Sequence, residues 1–71
     1  MPARPHHDAA DVPVFLRLPR VRHLTGLGKS TIYRLIALDE FPRPVQLGQR
    51  AVGWRSADVE RWSAERPMAP R

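Results

Sequence analysis

The side chains equipped for chemistry in this 71-residue chain gather in one short run, Gly28-Lys29-Ser30-Thr31-Ile32-Tyr33-Arg34. Arg34 carries a planar fork of donors that matches the O6/N7 edge of guanine or a phosphate. Lys29 is a compact charge suited to phosphate. Ser30 and Thr31 are short hydroxyls able to reach a base edge or the backbone, and the Tyr33 hydroxyl suits a backbone oxygen. At about 100° per residue, Ile32, Leu35 and Ile36 fall on one side of a helix. Ser30, Tyr33, Arg34 and Ala37 fall on the other, with Lys29 and Thr31 flanking the first turn. A solvated amphipathic face is the plain alternative. Against it, the polar side holds no Asp or Glu to form the i,i+4 pairs of an inert surface. Such a helix in a small basic chain fits the major groove of double-stranded DNA.

Further cations surround this run. Gln49 and Arg50 sit in a glycine-led loop, where phosphate or minor-groove contact is expected. Arg20, Arg22 and Arg55 are candidates for positioning phosphate contacts, and His23 is expected at the surface near the DNA. Gly28-Lys29-Ser30 mimics the end of a phosphate-binding loop, but the motif's earlier Gly is His23 here and no strand precedes it. No Ser/His/Asp or paired-carboxylate arrangement shares one plausible pocket, so no enzyme is expected. His6, His7 and His23 make no metal-ligand pattern, there is no Cys, and no cofactor is expected.

Twelve basic residues against seven acidic give a net charge of +5 and a pI near 11.4. That balance calls for an anionic partner, a nucleic acid or an acidic membrane surface. The apolar residues are spent on a folded core and not on one exposed face, which argues against the membrane. No apolar run approaches the ~20 residues that span a bilayer, and no charged-then-apolar leader is present. A cytoplasmic, nucleoid-associated location is expected.

The elements that position these groups are legible in the spacing. Residues 1–13, rich in Pro, Ala, His and Asp, read as a disordered leader, and 67–71 as a flexible tail. Residues 14–66 form one domain near the lower size limit for a single core. A first helix starts at Pro19, with Leu18, Val21 and Leu24 inward and Gly26 in the left-handed position past its end. Leu27 plugs the core within the turn. A second helix spans 29–37 with Gly28 at its N-cap. Phe41-Pro42-Arg43-Pro44 makes an extended connector. Val45-Gln46-Leu47 and Ala51-Val52-Gly53-Trp54 then make a hairpin around Gly48-Gln49-Arg50. Ser56 is expected to cap a third helix, with Asp58 in its first turn and Val59 and Trp62 inward. Trp54 and Trp62 read as core and not as base-stacking platforms. Phe41, Val45 and Leu47 join them. The order is that of a mainly α protein with a small β-hairpin, a winged helix-turn-helix.

Leu16-Arg17-Leu18, the Gly26-Leu27 turn, Ser30-Thr31-Ile32-Tyr33-Arg34, Phe41-Pro42, and Gly53-Trp54-Arg55 followed by Val59 and Trp62 together resemble the AlpA-type phage and prophage regulators. The resemblance covers roughly Phe15 to Ser63; each piece alone is weak, and the combination at these spacings is specific. It implies a small winged helix-turn-helix similar to the MerR DNA-binding domain and to phage excisionases. It makes the second helix the recognition helix and Gly48-Gln49-Arg50 the wing. One departure is Gly28, where the family usually has a capping Ser.

The expected function is therefore that of a sequence-specific DNA-binding transcriptional regulator of a phage or mobile element. A module so small binds modestly alone. Self-association on repeated sites, or help from an integrase or RNA polymerase, is the expected supplement. Two alternatives remain open at this point: an excisionase that bends attachment-site DNA and recruits integrase, and a small adaptor whose basic face binds an acidic protein.

Overall fold

Pro19 stands in the first turn of the first helix, where its missing N–H costs nothing. In the computed structural model, which describes residues 12–70, the order is β1 (Phe15–Leu16), α1 (Leu18–Thr25), α2 (Lys29–Ala37), β2 (Val45–Gln46), β3 (Val52–Arg55) and α3 (Ser56–Ala64). The expected leader lies outside the described residues as far as residue 11, as does Arg71. Residues 66–70 carry no regular structure.

Gly26 ends α1 at φ 76°, and its N–H bonds back to the Arg22 carbonyl at 2.8 Å. That left-handed geometry favours glycine. Thr25 fixes the same turn. Its hydroxyl donates to the Val21 carbonyl at 2.7 Å and accepts the Leu27 N–H at 3.2 Å.

The hairpin is part of a three-stranded antiparallel sheet of order β1-β3-β2. The added strand, β1, pairs Phe15 with Arg55 and Leu16 with Trp54. On the other edge, Val45 pairs with Gly53 and Gln46 with Val52. The expected Ser56 cap is corrected: Arg55 is the extended N-cap of α3, no side chain caps it, and Ser56 is the first helical residue. The physical reason is the β1–β3 ladder, which runs on so that the Ser56 N–H donates to the Val14 carbonyl at 2.9 Å. The ladder keeps the backbone extended through Arg55, so the helix begins one residue later than a Ser56 cap would require.

Leu16, Val21, Ile32, Ile36, Phe41, Trp54 and Val59 form the buried core, with Leu18, Leu27, Leu35 and Trp62 packed around it. Two expected core members differ. Leu24 is 54% exposed and Leu47 38% exposed. Leu24 lies in the last turn of α1, where the groove between α1 and α3 is open to solvent. Leu47 lies at the base of the wing loop and covers Gly53 from outside.

Gly53 is buried at the centre of the sheet. A Cβ there would lie 2.7 Å from Leu47 Cδ1 and 3.0 Å from the Leu16 carbonyl oxygen. The Leu47 side chain can turn away, whereas the Leu16 carbonyl is held by the strand pairing. Gly53→Ala should therefore destabilise the domain by about 1–3 kcal/mol, read as a lower midpoint in urea. An unchanged midpoint would show that β1 yields freely.

Both tryptophans anchor the connector between α2 and the wing. The Trp54 indole N–H donates to the Pro42 carbonyl at 2.9 Å, and that of Trp62 to the Glu40 carbonyl at 2.8 Å. Between those carbonyls the buried Phe41 ring meets Trp62 edge-on, centroids 4.7 Å apart.

Candidate nucleic-acid interface

Helix α2 buries Ile32 and Ile36 and half-buries Leu35, which leaves Lys29, Ser30, Tyr33, Arg34 and Ala37 exposed. Of the expected polar set, only Thr31 is half-buried. Tyr33 is 39% exposed, and its ring meets that of Trp54 edge-on with centroids 6.2 Å apart. It therefore ties α2 to the central strand as well as presenting a hydroxyl.

At its start, α2 has Gly28 as an extended N-cap with φ −81° and ψ 167°, and no side chain caps it. The Gly28 carbonyl accepts the Ile32 N–H at 3.0 Å, the first bond of the helix. The N–H groups of the first turn thus remain at the positive end of the helix, the arrangement that receives an anion. Beside them, Arg22 and His23 line a shallow hollow with Gly26, Leu27 and Gly28.

The remaining expected residues are distributed unevenly. Gln49 and Arg50 are exposed at the wing tip. Arg20 lines the groove between α1 and α3, beside Leu24 and Trp62 and away from the hollow that holds Arg22. Arg55 lies over Phe15, its guanidinium carbon 5.8 Å from the ring centroid. That contact takes part of its planar face, though the side chain stays exposed.

The charges separate along the chain. Residues 12–38 and 41–57 contain no Asp or Glu, so α1, α2 and the hairpin carry basic charge only and β1 carries none. Every acidic residue within 12–70 lies at Asp39 and Glu40 or on α3 and its end, at Asp58, Glu60 and Glu65. Among the described residues, ion pairs join Arg43 to Asp39 at 3.4 Å and Arg61 to Asp58 at 2.7 Å. Arg20, Arg22, Lys29, Arg34, Arg50 and Arg55 enter none among those residues.

Sequence reasoning missed three contributors. Thr25 locks the turn, and its position just before Gly26 at a helix end was the available signal. Gln46 binds the wing loop and has no motif to mark it. Phe15 places Arg55, and only the β1 pairing reveals that. Among the described residues no group of His, Asp and Glu is placed to hold a metal ion, and no helix is long and apolar enough to cross a membrane.

Two helices joined by a tight turn, a β-hairpin and a closing helix define a small winged helix-turn-helix protein. Comparison places it more narrowly. Residues 14–67 match the phage AlpA family, described as prophage CP4-57 regulatory protein (AlpA), and the chain belongs to that family. It is 52% identical over 52 residues to the uncharacterized protein ORF88 of Enterobacteria phage P4, covering 73% of this chain and 59% of that protein. It is 35% identical over 57 residues to the DNA-binding transcriptional activator AlpA of Escherichia coli strain K12, covering 72% of this chain and 81% of that protein. The chain thus spans somewhat under two thirds of the phage P4 relative. The family is one of regulatory proteins and not an enzyme class.

Proposed function

We propose that the protein is a sequence-specific, duplex-DNA-binding transcriptional regulator of a phage or mobile element, with α2 in the major groove and the wing against the adjacent backbone or minor groove. The observation that carries this reading is the segregation of charge, with the helix-turn-helix and hairpin free of acid and the described acids confined to Asp39, Glu40 and α3. The family relationship and the similarity to a DNA-binding transcriptional activator support it. Arg34 reads a base edge, Ser30 and Thr31 assist, and Tyr33 reaches a backbone oxygen. Phosphates are held by Lys29 and Arg22 at the uncapped start of α2, by Gln49 and Arg50 at the wing, and at the flanks by Arg20 and Arg55. Release of counterions from those phosphates supplies most of the affinity.

A single module of this kind buries roughly 600–1,000 Å² on DNA. We therefore propose that several copies act on repeated sites, or that RNA polymerase or an integrase adds contacts. Sequencing of the DNA bound by the tagged protein in cells tests the whole reading. Enrichment at promoters is expected. Enrichment confined to the ends of an integrated element would replace regulation with excision, and none above background would overturn DNA binding altogether.

Lys29 gives a narrower check. Lys29→Ala should weaken all duplex sequences about equally and lower the slope of log K against log salt by about 0.9, one phosphate's share. Affinity measured across a salt series reads this directly. A sequence-dependent loss would move Lys29 into the base-reading set.

A further inference from the structure

The wing tip is built around one uncharged side chain, Gln46. Its carboxamide nitrogen donates to the Gly48 carbonyl and, at 3.3 Å, to the Gln49 carbonyl. An amide NH2 has two hydrogens, so both carbonyls are satisfied at once. On the other side of the loop, the Ala51 carbonyl accepts the Leu47 N–H at 2.7 Å and the Gly48 N–H at 3.2 Å.

These four bonds determine where the remaining main-chain donors point. No peptide bond in the described chain is cis, and in a trans peptide the N–H points opposite to the C=O of the same unit. The Gly48 carbonyl shares its peptide with the Gln49 N–H, and the Gln49 carbonyl with the Arg50 N–H. With both carbonyls drawn to Gln46, both N–H groups face away from it. Gln49 and Arg50 are exposed, and neither N–H has a backbone or side-chain acceptor among the described residues. Each outward N–H is then a free donor on the exposed side of the wing, open to an anionic oxygen.

We propose that Gln46 is a positioning residue of the DNA interface. By gathering the two carbonyls it turns the Gln49 and Arg50 N–H groups outward as free donors to phosphate oxygens of the duplex backbone. The inference deepens the DNA-binding reading and rests on it. Its distinct content is that the wing grips phosphate through its main chain, with the Arg50 guanidinium left to act independently. A neutral side chain four residues before the obvious cation then determines how well the wing holds.

The test uses the full chain, a short mixed-sequence DNA duplex at low salt, and two variants. In the wild-type protein, adding duplex should move the amide proton resonances of both Gln49 and Arg50 downfield. Gln46→Met keeps the length and charge of the side chain but cannot donate. It should abolish both shifts and weaken binding about three- to tenfold. The salt slope should not change, because no cation is lost. Arg50→Ala should do the reverse, keeping both amide shifts and lowering the slope by about one.

Wild-type binding without the two shifts overturns the proposal, and so does a folded Gln46→Met protein that binds and shifts like wild type. The wild-type spectrum decides the matter even if the variant fails to fold. Failure of the wild-type protein to bind duplex at all would remove the DNA-binding reading, and this inference with it. Wild-type affinity and wild-type amide shifts in a folded Gln46→Met protein remove this inference alone.

Discussion

Trp54→Ala is expected to leave the protein unfolded at 25 °C. Trp54 is fully buried, and it joins three parts of the fold. It lies opposite Leu16 in the strand pairing, carries Tyr33 of α2 on its edge, and donates its indole N–H to the Pro42 carbonyl. Truncating a buried aromatic to Ala costs about 3–5 kcal/mol through lost transfer energy and the cavity left behind. Leaving the Pro42 carbonyl without its donor adds roughly 1–3 kcal/mol where water cannot replace it. A core this small rarely supplies more than about 3–5 kcal/mol in total. Loss of the cooperative thermal transition by circular dichroism is the expected readout. Trp54→Phe lessens the first term while keeping the second, since it retains a six-membered aromatic ring but loses the N–H and the volume of the smaller ring. That variant should remain folded with a lower melting temperature. A Trp54→Ala protein that still melted cooperatively would mean that α3 and Trp62 hold the fold without the central strand.

Arg34→Ala is expected to leave stability intact and change which DNA is chosen. Arg34 is exposed, enters no ion pair among the described residues, and contributes to the helix only through its backbone. Ala is the better helix former, so α2 should if anything gain slightly. The loss falls on binding. A bidentate arginine–guanine contact discriminates by about 1–3 kcal/mol, so the preference for one base at one position should fall roughly five- to 150-fold. Selection of bound sequences from a randomised duplex pool reads the result position by position. A uniform loss across all sequences would reassign Arg34 to phosphate. An unchanged profile with unchanged affinity would remove it from the interface.

The helical parts of the fold were legible because their signals are local. Gly26 marked the end of α1, Gly28 the start of α2, and the Ile32/Leu35/Ile36 stripe showed which side faces inward. The bounds of α2 follow from those residues alone, and the size and inward positions of Trp54 and Trp62 placed both against the core. What escaped is set by partners distant in sequence. A two-residue strand such as Phe15–Leu16 has no periodicity and exists only because β3 lies beside it. The same pairing keeps the backbone extended through Arg55, so Ser56, which local rules read as the cap, is the first helical residue instead. Leu24 matched the inward spacing of α1, but helical spacing carries no information on whether another element covers that last turn. For the candidate site, residue type and charge named the cations. They could not separate Arg20 from Arg22, which line different hollows, or identify Gln46, whose hydrogen bonds depend on the shape of a loop.

The anchoring of the Glu40 and Pro42 carbonyls by two indoles bears on how such a protein meets its target. Those bonds bracket the only stretch of chain that joins α2 to the hairpin, so the stretch is a strut and not a hinge. On the proposed DNA-binding reading, α2 and the wing would then be the jaws of a caliper with a set gap. Any mismatch between that gap and the width of the groove would be absorbed by the duplex, through bending or a change of groove width, at an energy that depends on the steps being deformed. Sequences the protein never touches would in that way acquire a vote in where it settles.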